Sequence, residues 1–265
     1  MRHLFLLCLL AATAARAETR LALGPGEELT YRVAWGIFSN AGEIKVVTKP
    51  ETDDREACLL VITTTSTRGF LRSLFPFDAR SDSVFNLRTG RMLVHTEKSA
   101  ANRKPTDTML TFDYAHATAD FRNLVQPEKN QTVAMPPGDP MDLITSLIQA
   151  RAWGLKPGEQ RDILVMFEEE PYELTLHADR YEKVYTPMGS YETLIVIPRM
   201  EKTAPKGMFK RGSKVRVWIS QDERHLPVKF EVEFKFGAGV ASLIAYQPPT
   251  DSAPVAVTTN ANSGP

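Results

Sequence analysis

The alternation of apolar and polar residues predicts that most of the chain folds as β-strands. Between residues 29 and 35 every second side chain is apolar, which puts one apolar face on a strand that ends at Trp35. Gly36 and Asn40 interrupt the pattern, and residues 42–48 then predict the returning strand of a hairpin. Further strand-like runs occupy residues 58–65, 92–96, 108–114, 163–167, 172–177 and 191–197.

The clearest alternation lies near the carboxyl end of the chain. Residues 228–236 place five apolar side chains on one face of a strand and four charged ones on the other. This pattern is typical of an antiparallel strand with one buried and one solvated face. Residues 214–219 repeat it, so we expect the two strands to pair, with Lys214 and Arg216 opposite Glu231 and Glu233.

One helix is predicted at about residues 140–153. Asp139 suits its amino-terminal cap, Pro140 its first position, and Gly154 its end. Ile144, Leu147, Ile148 and Ala152 supply an apolar stripe at helical spacing. A single helix among many strands is expected to cover an open edge or mouth of the sheet.

Together these elements predict a mainly β fold, namely a strongly curved antiparallel sheet or a partly closed β-barrel with one covering α-helix. We expect a single domain over residues 18–246, a length that one all-β domain can fill. Residues 247–265 are rich in Pro, Ala, Thr, Asn and Ser without an apolar period, which predicts a disordered tail.

The first 17 residues have the pattern of a secretory signal peptide. A basic start precedes an apolar run at residues 4–12 that is too short to span a bilayer, and Ala15 and Ala17 suit a signal peptidase. We therefore expect export, most simply to a periplasm, with cleavage after Ala17 and no integral membrane segment in the mature chain. Lipid attachment at Cys8 is the alternative, but the bulky Leu7 before it disfavours that modification.

Charge and cysteine content narrow the function classes. The chain has 32 basic and 32 acidic residues, and this balance offers no electrostatic reason to expect nucleic acid or an anionic lipid surface as a partner. Without the signal peptide, Cys58 is the only cysteine, so no intramolecular disulfide is expected. Its apolar surroundings predict a buried thiol that packs as a small hydrophobe.

No catalytic residue, cofactor or metal is assigned from the sequence. Ser220, Asp222 and His225 contain the side chains of a hydrolase triad, but their position between two strong strands favours a turn. Glu168, Glu169 and Glu170 suit a solvated hairpin tip, and the four histidines beyond the signal peptide lack the close spacing typical of zinc sites. We therefore expect a non-enzymatic protein.

One apolar segment, residues 69–77, is a candidate contact surface. Its large side chains are Phe70, Leu71, Leu74, Phe75 and Phe77. Placed on a rim, they would form a contact for a lipid-like ligand or an envelope protein. Placed inward, the same segment would be a short helical turn packed on the sheet. The sequence leaves both arrangements open.

Four motifs, taken in order, resemble the bacterial exported family catalogued as domain of unknown function 3108. They are G-E-x-L-x-Y-x-V-x-W at residues 26–35, D-L-I-T-S-L at 142–147, Y-T-P-M-G-S-Y-E-T at 185–193, and V-W-I-S-x-D-x-x-x-L-P-V at 217–228. The resemblance implies an exported, single-domain, mostly antiparallel β protein. It brings no established activity and no catalytic residues to transfer. Trp35 and Trp218 are expected to anchor the core.

Three functions follow as expectations. The first is a binding or carrier domain that encloses an apolar or amphiphilic envelope component within the curved sheet. The second is an interaction or assembly factor for another envelope protein, with residues 70–77 as its contact. The third, more remote, is a hydrolase of envelope polymers, which requires titratable groups that converge in a polar cleft.

Overall fold

The computed structural model describes residues 20–53, 56–101, 105–205, 209, 214–234 and 237–250. The expected signal peptide and residues 251–265 of the expected tail therefore lie outside the described residues. The strands of the described chain are β1 (Glu28–Trp35), β2 (Phe38–Asp53), β3 (Glu56–Thr67), β4 (Phe77–Asn86), β5 (Met92–Ala101), β6 (Thr106–Asp113), β7 (Thr118–Asn123), β8 (Gln131–Ala134), β9 (Gln160–Phe167), β10 (Glu170–Thr186), β11 (Gly189–Arg199), β12 (Lys214–Ser220), β13 (Pro227–Phe234) and β14 (Gly237–Gln247). The helices are α1 (Gly69–Leu74) and α2 (Leu143–Gln149), with 3-10 turns at Pro127–Lys129 and Ala150–Ala152. Within this described part, no helix is long and apolar enough to cross a bilayer.

All of these strands form one antiparallel sheet with meander connectivity. The sheet order runs from β8 back to β1, crosses to β14, and then runs back to β9. β1 pairs with β14, so the first and last described strands meet in the middle of the sheet. β8 and β9 form its two edges, and the sheet is not closed by the described strands.

The sheet curves so strongly that distant strands face each other. β4 and β9 hold positions 5 and 14 in the sheet order. Nevertheless, Ala79 of β4 and Met166 of β9 line one cavity of about 250 Å³. The predicted fold class, a mainly β protein with a curved antiparallel sheet that stays partly open, is confirmed.

The inner face of the sheet changes from apolar to polar along the strands. Leu59, Phe85 and Met92 lie side by side on β3, β4 and β5, and all three are fully buried. Four residues further along β3, towards α1, Thr63 lies on the same face, and its neighbours on β4 and β5 are Ser81 and Glu97. Large side chains therefore fill the inner face near the start of β3, and polar ones line the end at which β3 meets α1.

The covering helix is present but begins later than the sequence pattern predicts. Asp142 is its amino-terminal cap and accepts a hydrogen bond from the backbone N–H of Thr145 at 2.9 Å. The predicted cap, Asp139, instead accepts a hydrogen bond from Arg91. Met141 forms a bridge to Val165 of β9, so this residue belongs to the sheet edge and the helix begins after its cap at Asp142.

The predicted pairing of the last charged strands agrees with the structure. Lys214 lies opposite Glu233 and Arg216 opposite Glu231 across β12 and β13. The Arg216 guanidinium forms a partly buried ion pair with Glu231. The alternation of charged and apolar residues therefore predicted both the direction and the register in which β12 and β13 pair.

The two tryptophans expected in the core have different environments. Trp218 is 3% exposed and packs in the core as expected. Trp35 is 45% exposed, so the expectation for it is wrong. It is the last residue of β1, where the hairpin to β2 carries the chain beyond the packed part of the inner face.

Candidate functional site

A cavity of about 790 Å³ lies at the end of the sheet where the chain leaves α2. Residues 20–25 form one wall, and the turn after α2 together with the start of β9 forms the other. Three of its lining residues are arginines: Arg20, Arg151 and Arg161. We call this cavity the arginine cleft.

Gln149, the last residue of α2, fixes the first wall of the arginine cleft. Its side-chain oxygen accepts a hydrogen bond from the Ala22 N–H at 2.8 Å, and its amide donates to the Arg20 carbonyl at 2.9 Å. Gln149 is 1% exposed, and Leu21 and Leu23 beside it pack into the core. Residues 20–23 are therefore held against the helix although they form no strand.

A buried ion pair joins that wall to the helix turn. Arg151 Nη2 donates to the two carboxylate oxygens of Glu27 at 2.7 and 2.9 Å, and its Nε donates to the Ala22 carbonyl at 3.0 Å. The Glu27 side chain is fully buried and that of Arg151 is 10% exposed. Gly24 N–H donates to the same carboxylate at 3.0 Å. Such a pair is stable only where hydrogen bonds of this quality offset the loss of hydration.

Two tyrosines show that the ion pair lies against the apolar core. Burial raises the pKa of Tyr31, and the nearby Arg151 charge only partly opposes this effect. Burial also raises the pKa of Tyr246, and the negative charge of Glu27 raises it further. Both phenols therefore stay neutral, and the Tyr31 hydroxyl donates to the Pro227 carbonyl at 2.9 Å.

Aromatic and aliphatic surface completes the arginine cleft. The Arg161 guanidinium lies 4.6 Å from the ring centroid of Trp153, within the range of a cation–π contact. Leu87, in the connection between β4 and β5, also lines the cleft and is 38% exposed. The cleft thus combines cationic groups with apolar surface, which is the composition that an amphiphile requires.

A second polar cluster connects the helix to the sheet. The Ser83 hydroxyl on β4 donates to Asp142 Oδ2 at 2.8 Å and lies 2.9 Å from His95 Nδ1 on β5. Because the hydroxyl hydrogen is used for Asp142, His95 Nδ1 must be the donor in the second bond. A nucleophilic serine would instead donate its hydrogen to the imidazole. Ser83 is also 1% exposed, so the cluster anchors the helix cap rather than forming a catalytic site.

The segment 69–77 lies at the opposite end of the sheet from the arginine cleft. Phe70, Leu74 and Phe75 are 62%, 50% and 63% exposed, and α1 has no buried residue. Leu71 and Phe77 are half-buried. Exposed apolar side chains on other connections share this end, and we call the whole set the apolar rim: Ile37, Phe70, Leu74, Phe75, Leu124 and Phe167.

The remaining sequence candidates lie in turns. The Ser220 hydroxyl donates to Asp222 at 2.6 Å and accepts from the Leu226 N–H at 2.7 Å, which closes the connection between β12 and β13. Ser220 is fully buried, and no described bond joins it to His225. Glu168 lies in the turn between β9 and β10. Among the described residues, no group of three His, Cys, Asp or Glu side chains is arranged to hold a metal ion.

Sequence reasoning missed the arginine cleft altogether. Glu27 and Arg151 are separated by 124 positions, and no spacing rule connects them. Glu27 lies within the first family motif, but a charged residue before a strand has no distinctive meaning in one sequence. Only the packing of residues 20–25 against α2 brings these side chains together.

Comparison with known proteins agrees with this architecture. The sequence profile of the family described as "Protein of unknown function (DUF3108)" matches residues 30–244. The chain belongs to the DUF3108 family. No curated protein matches this DUF3108 chain.

A solved structure supports the fold of this DUF3108 protein. A β-barrel-like protein of domain of unknown function DUF1849 from Brucella abortus aligns with a TM-score of 0.53 at 6% identity, covering 86% of this chain and 99% of that one. The lipoprotein LppX from Mycobacterium tuberculosis aligns over 87% of this chain and 91% of its own at 14% identity, but with a TM-score of only 0.24. The first likeness supports the fold alone, and the second is too distant to support an argument.

Proposed function

We propose that this DUF3108 protein is an exported binding or carrier protein that holds an amphiphilic envelope component without chemical conversion. The supporting observation is the arginine cleft, whose volume of about 790 Å³ lies within the roughly 300–1,000 Å³ of ligand sites. Fully buried side chains such as Tyr31 and Phe85 pack on the inner face. The proposed ligand site is therefore at the end of the curved sheet instead of within it.

The proposed compartment is the periplasm. The pattern of residues 1–17 supports export and cleavage after Ala17, as described above. Because the described wall of the cleft begins at Arg20, the proposed cleavage leaves every described cleft residue on the mature chain.

A cleft-filling substitution tests the proposed site. Ala152 is exposed and lines the cleft, so Ala152→Trp fills the cavity without disturbing the core. Ala115→Trp, at an exposed position in the turn between β6 and β7, is the matched control. Native mass spectrometry of protein purified from its own envelope should show a bound amphiphile on the wild type and the control, with at least a tenfold lower occupancy for Ala152→Trp. Empty wild-type protein that also fails to bind added amphiphiles, or equal occupancy of all three proteins, would contradict the proposal.

The apolar rim supports a second candidate function, docking to another envelope protein. Its six large apolar side chains are 40–92% exposed at one end of the sheet, and contiguous exposed apolar surface is typical of interaction sites. Leu74→Asp should then leave the melting temperature unchanged but abolish co-purification of a partner that rebinds the purified protein. Ser73→Asp, in the same short helix, should retain the partner. Loss of folding in Leu74→Asp would instead assign these side chains a packing role.

A further inference from the structure

The charges around the arginine cleft do not balance. Among the described residues, only Arg151 of its three arginines has a carboxylate partner, and the hydrogen bonds from Arg151 and Gly24 occupy the Glu27 carboxylate. Arg20 and Arg161 form no ion pair with any described residue. The described lining of the cleft therefore carries two more positive than negative side chains, although the whole chain has equal numbers of basic and acidic residues.

Unsatisfied hydrogen-bond donors provide a second, independent observation. Arg151 Nη1 and Trp153 Nε1 are buried and have no hydrogen-bond partner in the described part of the chain. Arg151 is nine-tenths buried, and both residues line the cleft. Both atoms are N–H donors, so the residues that line the cleft hold donors whose hydrogen-bonding capacity is unused. Acidic oxygens supply acceptors and negative charge together.

The apolar part of the lining restricts the ligand further. Leu87 and the Trp153 ring lie beside the cationic groups, so a free inorganic anion would leave this surface in contact with water. A molecule with an acidic head and an aliphatic chain satisfies both parts of the lining.

We propose that the arginine cleft recognises the acidic head group, a phosphate or a carboxylate, of the amphiphile that the protein carries. This inference rests on the proposed function, because it names the chemical class of the ligand for that same site. Arg161 and Arg20 contact the head group, and the surface around Leu87 and Trp153 packs against the start of the chain.

Three probes with related structures test this inference on the mature chain by isothermal titration below their micelle concentrations. They are dodecyl phosphate, dodecyl maltoside and inorganic phosphate. We expect dodecyl phosphate to bind at least tenfold more tightly than either of the others. Its affinity should also fall several-fold between 10 and 300 mM NaCl, because salt screens the guanidinium charges.

Arg161→Gln removes one unpaired charge, and Arg32→Gln removes an exposed charge from the outer face of β1 as the matched control. Arg161→Gln should weaken dodecyl phosphate binding at least tenfold and dodecyl maltoside binding less than twofold, whereas Arg32→Gln should change neither. If circular dichroism shows that Arg161→Gln does not fold, Arg20→Gln is used in its place.

The possible results separate the two proposals. Equal binding of dodecyl phosphate and dodecyl maltoside would overturn the acidic-head inference and leave the binding function standing. Inorganic phosphate that binds as tightly as dodecyl phosphate would show a simple anion site and would also overturn the inference. Failure of all three probes to bind would contradict the proposed function itself.

Discussion

Neutralising Glu27 should destabilise the protein far more than neutralising its neighbour Glu28. Glu27 is fully buried and holds Arg151 at 2.7 and 2.9 Å, so Glu27→Gln leaves a buried guanidinium without a counter-charge. Loss of one partner of a buried pair typically costs about 3–5 kcal/mol. The amide oxygen of Gln can still accept one hydrogen bond, so we expect about 3 kcal/mol. For a domain of this size, that corresponds to a melting temperature lower by about 6–12 °C.

Glu28→Gln is the control, because it makes the same chemical change one residue away. Glu28 forms an ion pair with Lys45 at 2.8 Å, but the two side chains are 33% and 40% exposed. Exposed pairs contribute less than about 1 kcal/mol, so its free energy of unfolding should change by no more than that. Urea unfolding with linear extrapolation, supported by calorimetry, measures both variants.

A double variant separates the ion pair from other effects of the substitution. Arg151→Met alone leaves the Glu27 carboxylate buried and uncompensated, and it should be as harmful as Glu27→Gln. The combined variant should lose less stability than the two single variants together, because no unpaired charge remains. The reasoning is refuted if Glu27→Gln is as mild as Glu28→Gln, or if the two losses are simply additive.

Three further predictions follow from individual contacts. Asp142→Ala removes the cap of α2 and the acceptor of the Ser83 hydroxyl, so urea unfolding should show a loss of about 1–3 kcal/mol, and an unchanged midpoint would disprove the anchoring role. Burial raises the pKa of Cys58, so a thiol reagent should label it only after unfolding, and rapid labelling of the native protein would contradict its buried position. A hydrogen bond from Lys202 holds the pKa of Asp162 below its usual value, so its contribution to stability is present above about pH 4 and is lost as the pH falls further. Asp162→Asn should therefore reduce the difference in unfolding free energy between pH 6 and pH 3, and an unchanged difference would count against this contact.

The sequence predicted strand pairing well where one face of a strand carries charged residues and the other face apolar ones. Charges at Arg216 and Glu231 alternate with apolar residues, so pairing, direction and register of β12 and β13 followed from the pattern. The start of α2 was predicted too early because Asp139 and Pro140 match helix-start signals. A long-range contact, the bridge between Met141 and β9, keeps this part of the chain at the sheet edge, so the helix begins only after Asp142.

The positive charge of the arginine cleft was the main feature that could not be predicted from the overall composition. Equal totals of basic and acidic residues gave no sign of an electrostatic site. The excess at the arginine cleft arises only because Gln149 holds residues 20–23 against the helix, beside Arg151 and Arg161. Residues 69–77, by contrast, could be recognised as a candidate surface from their apolar content, but their exposure required the structure.

Photo-crosslinking locates the ligand most directly. A fatty acid with a diazirine on its chain near the carboxylate can be bound to the mature protein, irradiated and mapped by peptide mass spectrometry. We predict adducts on residues 20–25, on Leu87 and on residues 150–153, and their loss in Ala152→Trp. Adducts confined to residues 69–77 or to the middle of the inner face would contradict the assignment of the arginine cleft as the binding site.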